Sequence, residues 1–182
     1  MEHSLIILGL GLAACTLAVL IWSIAVPSRR IWPPKRFGAI VLAFVWVPTI
    51  ALFAILIALG ILGWGDIALP GWLRYGLGLA LIAVGNVAVW SEVRKFGVNQ
   101  TSGAKGSLRT DGLYRFSRHP QYVADALIVF GWMMLSASVT AMPVGLGIIV
   151  LFLTAPLAEE SWLREAYGSQ YDDYTQRVRR YL

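Results

Sequence analysis

The residues best equipped for chemistry fall into two polar clusters in an otherwise apolar chain. The first, Gly112 to Tyr122, reads GLYRFSRHPQY; the second, about 35 residues further on, reads AEESWLREAYGSQYDDY over 158–174. Pro120 suits the first turn of a helix, where its missing N–H costs nothing, so His119 stands at a helix mouth. Arg118, Tyr122 and Asp125 follow at i, i+4 and i+7, along one face. A helix N-terminus beside Arg118 and His119 can hold an anionic group, or both side chains can snorkel to lipid headgroups. Asp125 lies inside an apolar run, where an acid costs about 2–3 kcal/mol unless paired or wet. It reads as a counter-charge for an ammonium or sulfonium, as a general base, or as the ion-pair partner of Arg118 on a pocket floor.

In the second cluster, Glu159-Glu160 is expected to open a helix just past the last apolar run, where the helix dipole favours carboxylates. Adjacent acids point in different directions on a helix, so only one is expected to enter a pocket. Glu160 and Arg164 have the i,i+4 spacing and order that favour a pair. Tyr167, Tyr171 and Tyr174 recur at helical spacing, and either dock the tail against the interface or wall a cofactor. Ionisable groups bordering a bilayer are a functional hypothesis by default.

The elements that must position these clusters are membrane helices. The 182-residue chain is 58% hydrophobic and 14% charged, where a soluble domain is about a quarter charged. Apolar runs at about 4–26, 37–62, 71–93, 120–136 and 139–157 predict an all-α, polytopic bundle of five spans forming one membrane-embedded domain over 1–182, with a tail at 158–182. The prolines of the basic connector Pro27-Ser-Arg-Arg-Ile-Trp-Pro-Pro-Lys-Arg stop helices between the first two runs. Trp64 and Trp72 are interfacial anchors. The last two runs form a tight hairpin of short, tilted spans or a pair that does not fully cross, and Pro143 and Pro156 make them liable to kinks. The tail is expected to be helical, broken near Gly168 and helical again on the membrane face.

Charge gives the orientation. Fourteen of the fifteen Lys and Arg fall in 27–36, 94–119 and 158–182, and only Arg74 lies elsewhere. With the N-terminus outside and the tail cytoplasmic, five spans satisfy the positive-inside rule almost completely, so both clusters are expected to face the cytoplasm from an inner membrane of bacterial type. The stretch from Leu5 to Val26 is too long for a signal-peptide core and has no Lys or Arg ahead of it, which reads as an uncleaved span.

Several classes are excluded. The net charge of +5 is confined to loops flanking apolar runs, which argues against nucleic-acid binding. A single cysteine, Cys15, rules out intrachain disulfides and a cysteine-based metal cluster, and two histidines, one at the N-terminal tip, do not make a metal site. Gly76-Leu-Gly and Gly145-Leu-Gly sit within apolar runs and read as close helix packing, not nucleotide loops; Asn86 reads as an interhelical hydrogen bond.

Together the clusters resemble the isoprenylcysteine carboxyl methyltransferase family and its phospholipid methyltransferase relatives. The resemblance rests on Gly112, Tyr114, Arg118, His119, Pro120 and Tyr122, then on Glu159, Glu160, Leu163, Tyr167, Gly168, Tyr171, Tyr174, Val178 and Arg180, and covers roughly 95–182, half the chain. It implies an integral membrane methyltransferase using S-adenosylmethionine, held without a Rossmann sheet in a cytoplasm-facing cavity closed by the C-terminal helices. It also implies a lipophilic acceptor, either an isoprenylcysteine-type carboxylate, a phospholipid amine or a small lipophilic thiol or phenol. Tyr114, His119, Tyr122, Glu159, Glu160, Tyr171 and Arg180 would contact the cofactor or order its pocket; Arg118, Asp125 and Glu159 would serve the reaction. An arginine such as Arg180 suits the donor's carboxylate. Two positions depart from the pattern: Val178-Arg179-Arg180 stands for Val-Pro-Arg, and Ala124-Asp125 puts an acid where the family often has a neutral residue. That acid is similar to membrane sterol and steroid reductases, which bind NADPH and make the alternative reading; a non-catalytic membrane scaffold is the third.

Overall fold

The computed structural model describes residues 1–34, 38–101 and 106–182, excluding the side chains of 41, 42 and 95–101. Lys35, Arg36 and Lys105 of the charge count, and the side chain of Lys95, lie outside the described residues. All regular structure among the described residues is helical: α1 (Glu2–Ala25), α2 (Ala39–Leu62), α3 (Gly78–Thr101, entered through a π-helical turn at Trp72–Leu77), α4 (Pro120–Ser136), α5 (Ala141–Tyr167) and α6 (Ser169–Arg177). The all-α reading therefore holds.

Four stretches, Glu2–Ala25, Ala43–Leu62, Trp72–Arg94 and Ala141–Tyr167, are long and apolar enough to cross a membrane. Helices satisfy their own backbone hydrogen bonds, which is what a hydrocarbon solvent demands. They leave Ile7, Val47 and Val87 exposed, as lipid-facing positions should be. Helix α4 has the bounds expected of a span, but its 17 residues reach only about 26 Å against a hydrocarbon core of about 30 Å. It packs mainly between α3 and α5 and buries Ala124, Val129, Gly131, Met133 and Leu135.

Small residues bring α3 and α4 together. A Cβ on Gly85 would lie 2.6 Å from the Ala124 carbonyl oxygen, and one on Gly131 would lie 2.8 Å from the Gly78 carbonyl oxygen. Lacking side chains there, the two backbones close to direct contact. That seam sets the turn carrying Asp125 beside the turn carrying Asn86. Gly145 is tight as expected, whereas Gly76 faces open space. Among the described residues Asn86 makes no bond across helices; its Nδ2 donates to the Ile82 carbonyl of its own helix at 2.9 Å.

Helix α1 lies along α5, and α2 packs on α1, α5 and α4 while hardly touching α3. A gap between α2 and α3 results. On the far side, Arg74 caps the end of α4, with Nε donating to the Leu135 carbonyl at 2.8 Å and Nη2 to that of Ser136 at 3.1 Å. A cation at a helix C-terminus is favourable. Its guanidinium also lies 4.8 Å from the Trp64 ring.

One expectation is corrected in α5. The helix does not end near 157 but runs through Pro156 to Tyr167, so Glu159 and Glu160 lie in its interior and open no new helix. A proline removes one backbone bond, but Pro156 is buried against the bundle, and the tail's Tyr181 hydroxyl donates to the Leu153 carbonyl in the disturbed turn. Packing therefore outweighs the lost bond. The break at Gly168 is where the sequence puts it: φ of +56° suits glycine, and α6 begins at the next residue.

Candidate active site

His119 precedes Pro120 at the mouth of α4, and its backbone N–H donates to Ser117 Oγ at 3.1 Å. That hydroxyl donates in turn to the Arg180 carbonyl at 3.1 Å, and the Arg118 N–H donates to the Arg179 carbonyl at 2.9 Å. The extended tail thus lies across the mouth of α4. Two tyrosines of the second cluster complete the closure. Tyr174 Oη donates to the Tyr114 carbonyl at 2.6 Å, and Tyr167 Oη to that of Gly106 at 2.7 Å. Both dock the tail onto the segment that leads into α4, and both also line the cavity.

The paired carboxylates take different duties. Glu160 receives Arg180 in bidentate fashion, Nε to Oε1 at 2.7 Å and Nη2 to Oε2 at 2.8 Å, and its Oε1 lies 3.2 Å from Arg118 Nη1. The anticipated Glu160–Arg164 pair is absent; Arg164 Nε instead bonds Asp172 Oδ1 at 2.9 Å. Glu159 Oε1 accepts from the Tyr122 hydroxyl and, at 3.1 Å, from the Trp32 indole N–H. Its Oε2 lies 3.5 Å from His119 Nδ1. Only Glu159 lines the cavity, in line with the one-acid expectation.

The cavity holds about 730 Å³, within the usual range for ligand sites. Tyr114, Arg118, His119, Tyr122, Asp125, Glu159 and Tyr171 line it. Glu160 and Arg180 stand behind this wall, where the Arg180 fork is already engaged by Glu160. From the polar end the cavity extends between α2 and α3, past Ile50, Phe53 and Ile57 on one side and Val89 and Trp90 on the other. A second, apolar pocket of about 320 Å³ lies among α1, α2 and α5, and the two share Trp32, Val45, Thr49, Phe53, Tyr122 and Phe152 as a partition.

The Arg118–Asp125 ion pair expected from spacing is also corrected. Arg118 precedes α4, and the tail and α5 bring Glu160 to it. No hydrogen bond or ion pair among the described residues reaches Asp125, which lines the cavity beside Asn86.

Burial alone would pull the His119 imidazole down, but the facing Glu159 and Glu160 carboxylates outweigh it and hold its pKa above the ordinary value. Burial pushes Tyr171 up to about 12, with Glu160 adding to the effect, and Tyr114 and Tyr174 higher still. These phenols stay protonated as hydrogen-bond donors. Arg118 Nε, His119 Nε2 and Tyr171 Oη are buried without a hydrogen-bond partner among the described residues. Buried polar groups are nearly always bonded, so these three cavity-lining residues have unspent capacity; His119 Nε2 is turned toward Glu160 Oε1, 3.8 Å away. Among the described residues no group of acids, histidines or cysteine is placed to hold a metal ion.

Two contributors escaped sequence reasoning. Trp32 comes from the α1–α2 connector, where only its flanking prolines drew notice. Ser117, buried between the clusters, ties tail to helix mouth through two bonds. The contacts that bring them to the site are remote in sequence, Trp32 to Glu159 and Ser117 to Arg180, and so leave no spacing signal.

No curated protein and no solved structure matches the chain. Residues 73–170 match the family of phospholipid methyltransferases. The match takes in the whole first cluster and both Glu159 and Glu160, but ends before Tyr171 and Arg180. It implies a methyltransferase with lipid-related substrates, and the four apolar helices are those of an integral membrane protein. With more than half of its length matched, this chain belongs to the phospholipid methyltransferase family.

Proposed function

We propose that the protein transfers a methyl group from S-adenosylmethionine to a lipophilic acceptor drawn from the bilayer, a phospholipid amine or an isoprenylcysteine-type carboxylate. The observation that carries this reading is Glu159: a carboxylate fixed by Tyr122 and Trp32 on the wall of a cavity whose far end runs between two apolar helices. When bound, the donor supplies a methyl on a cationic sulfur, and in-line displacement by the acceptor's lone pair leaves a neutral thioether.

The chain's own groups fit that task. Glu159 balances the cationic centre, and Arg118 offers a cation to the donor's carboxylate. His119 and Tyr171, whose Oη has no hydrogen-bond partner among the described residues, supply polar contacts, and the buried tyrosines keep water out. Displacement needs little chemistry from the protein beyond positioning two reactants, which supplies several kcal/mol in well-oriented systems, about 7–11 at best. Asp125 lies farther along the cavity. For an amine acceptor it takes the proton the ammonium must lose; for a carboxylate acceptor it has no such duty. Glu160 and Arg180 act as positioning residues, holding Arg118 and the tail. In the proposed topology the N-terminus is outside, α4 makes a fifth crossing, and the donor enters from the cytoplasm.

Calorimetry on the detergent-purified protein tests the reading, with S-adenosylmethionine, its demethylated product and NADPH as titrants. Binding of the first two, abolished in Glu159→Ala and His119→Ala, is expected. Binding of NADPH alone would move the protein to the reductases, and no binding of any would favour a scaffold.

A further inference from the structure

Trp32 is the one member of the carboxylate's shell contributed by the α1–α2 connector. Its indole N–H reaches Glu159 Oε1 at 3.1 Å, on the same oxygen that Tyr122 holds. The connector is itself anchored. The backbone N–H groups of Ile31 and Trp32 donate to the fully buried Ser23 Oγ at 3.1 and 3.0 Å, and Arg30 Nη1 pairs with Glu165 Oε2 at 2.6 Å. Trp32 is thus pinned through its backbone to α1 and through its side chain to α5. It also stands in the partition between the polar-ended cavity and the apolar pocket.

From this we infer that Trp32 is a positioning residue for Glu159: its N–H and ring hold the carboxylate toward the cavity and away from the apolar pocket. The inference rests on the proposed methyl-transfer reading. Without the indole, Glu159 loses one charge-assisted bond on Oε1 and the barrier that blocks its alternative rotamers. Tyr122 on Oε1 and the longer His119 Nδ1 contact of 3.5 Å on Oε2 then hold a carboxylate freer to swing. A carboxylate in the wrong place harms a cationic ligand far more than the neutral thioether left when the methyl has gone. A generally loosened site would harm both alike.

The experiment uses the full chain in detergent, with Trp32→Phe, Glu159→Gln and the double variant. Phenylalanine keeps an aromatic ring in the partition but cannot donate. Affinities for S-adenosylmethionine and for its demethylated product are measured side by side. Trp32→Phe is expected to weaken the methyl donor about tenfold, the scale of one lost charge-assisted hydrogen bond, with the demethylated product changed less than about twofold. In the Glu159→Gln background the same change is expected to do nothing further. Equal weakening of both ligands, an unchanged donor affinity, or a full additional loss on Glu159→Gln would each overturn the role while leaving the methyltransferase reading intact. Failure of the unaltered protein to bind either ligand would overturn that reading, and the role of Trp32 with it.

Discussion

Arg180→Ala separates two ways in which the tail can serve the site. If Arg180 holds the donor's carboxylate directly, its loss removes binding and leaves the ligand-free protein nearly as stable as before. The geometry assigns it instead to Glu160, through two bonds of 2.7 and 2.8 Å. A fully buried pair broken on one side costs about 3–5 kcal/mol, and an exposed one at most about 1 kcal/mol. The Glu160 side chain is 11% exposed and that of Arg180 is 37% exposed, so solvent discounts the pair. Arg118 Nη1, 3.2 Å from Glu160, also remains to neutralise the acid. The expected cost is therefore about 1–2 kcal/mol, or about 2–8 °C in the unfolding midpoint for a chain of this size. Glu160→Ala should cost more, because it strands the nearly buried Arg118 as well as Arg180. Unfolding is followed by intrinsic tryptophan fluorescence in one detergent at one scan rate, for both single variants and their combination. The double variant should be no less stable than Glu160→Ala, since Arg180 then has nothing left to lose. A double variant destabilised by the sum of the two, or an Arg180→Ala protein of full stability that no longer binds S-adenosylmethionine, would refute the reasoning.

Other outcomes follow from the same geometry. His119 has a raised folded-state pKa, so its protonated form contributes stability that is complete below its unfolded value of about 6.5 and is lost as pH rises through the folded value. The unfolding midpoint should fall over that upper window, and His119→Gln should flatten that part of the profile; an unchanged slope would contradict the assignment. Gly85→Ala places a Cβ 2.6 Å from a backbone oxygen that cannot rotate away. Overpacking of about 1–3 kcal/mol should exceed the roughly 1 kcal/mol gained in helix propensity, lowering the midpoint, and a stabilised variant would show that the α3–α4 seam is looser than described. Asp125→Asn should depress methylation of an amine lipid far more than of a carboxylate acceptor in parallel activity assays. Equal activity of wild type and variant on the amine would remove the base.

Much of the site was legible because its two clusters have local causes. Pro120 suits the first turn of a helix, so His119 at its mouth and Tyr122 and Asp125 along its face follow from dihedral preference and periodicity. Gly168 likewise ends α5 where its left-handed dihedral is needed. Charge partners were less legible. Arg118 at i and Asp125 at i+7, or Glu160 and Arg164 at i and i+4, are pairs that spacing permits; the folded chain offered Glu160 two arginines from other elements, and those won. The end of the apolar run near 157 predicted a span closing there and a new helix opening at Glu159, but burial of Pro156 and the returning tail kept α5 whole.

The sequence by itself determined that the chain is a bundle of apolar helices with two polar clusters, because hydrophobic runs, proline positions and loop charges are local quantities. Tertiary structure alone decided that Glu159 and not Glu160 faces the cavity, that Arg180 is spent behind it, and that Trp32 joins the carboxylate from a connector 127 residues away. Direction of a side chain and competition among partners depend on which helices meet, and here that was settled by glycine seams and by a tail folded across the mouth of α4.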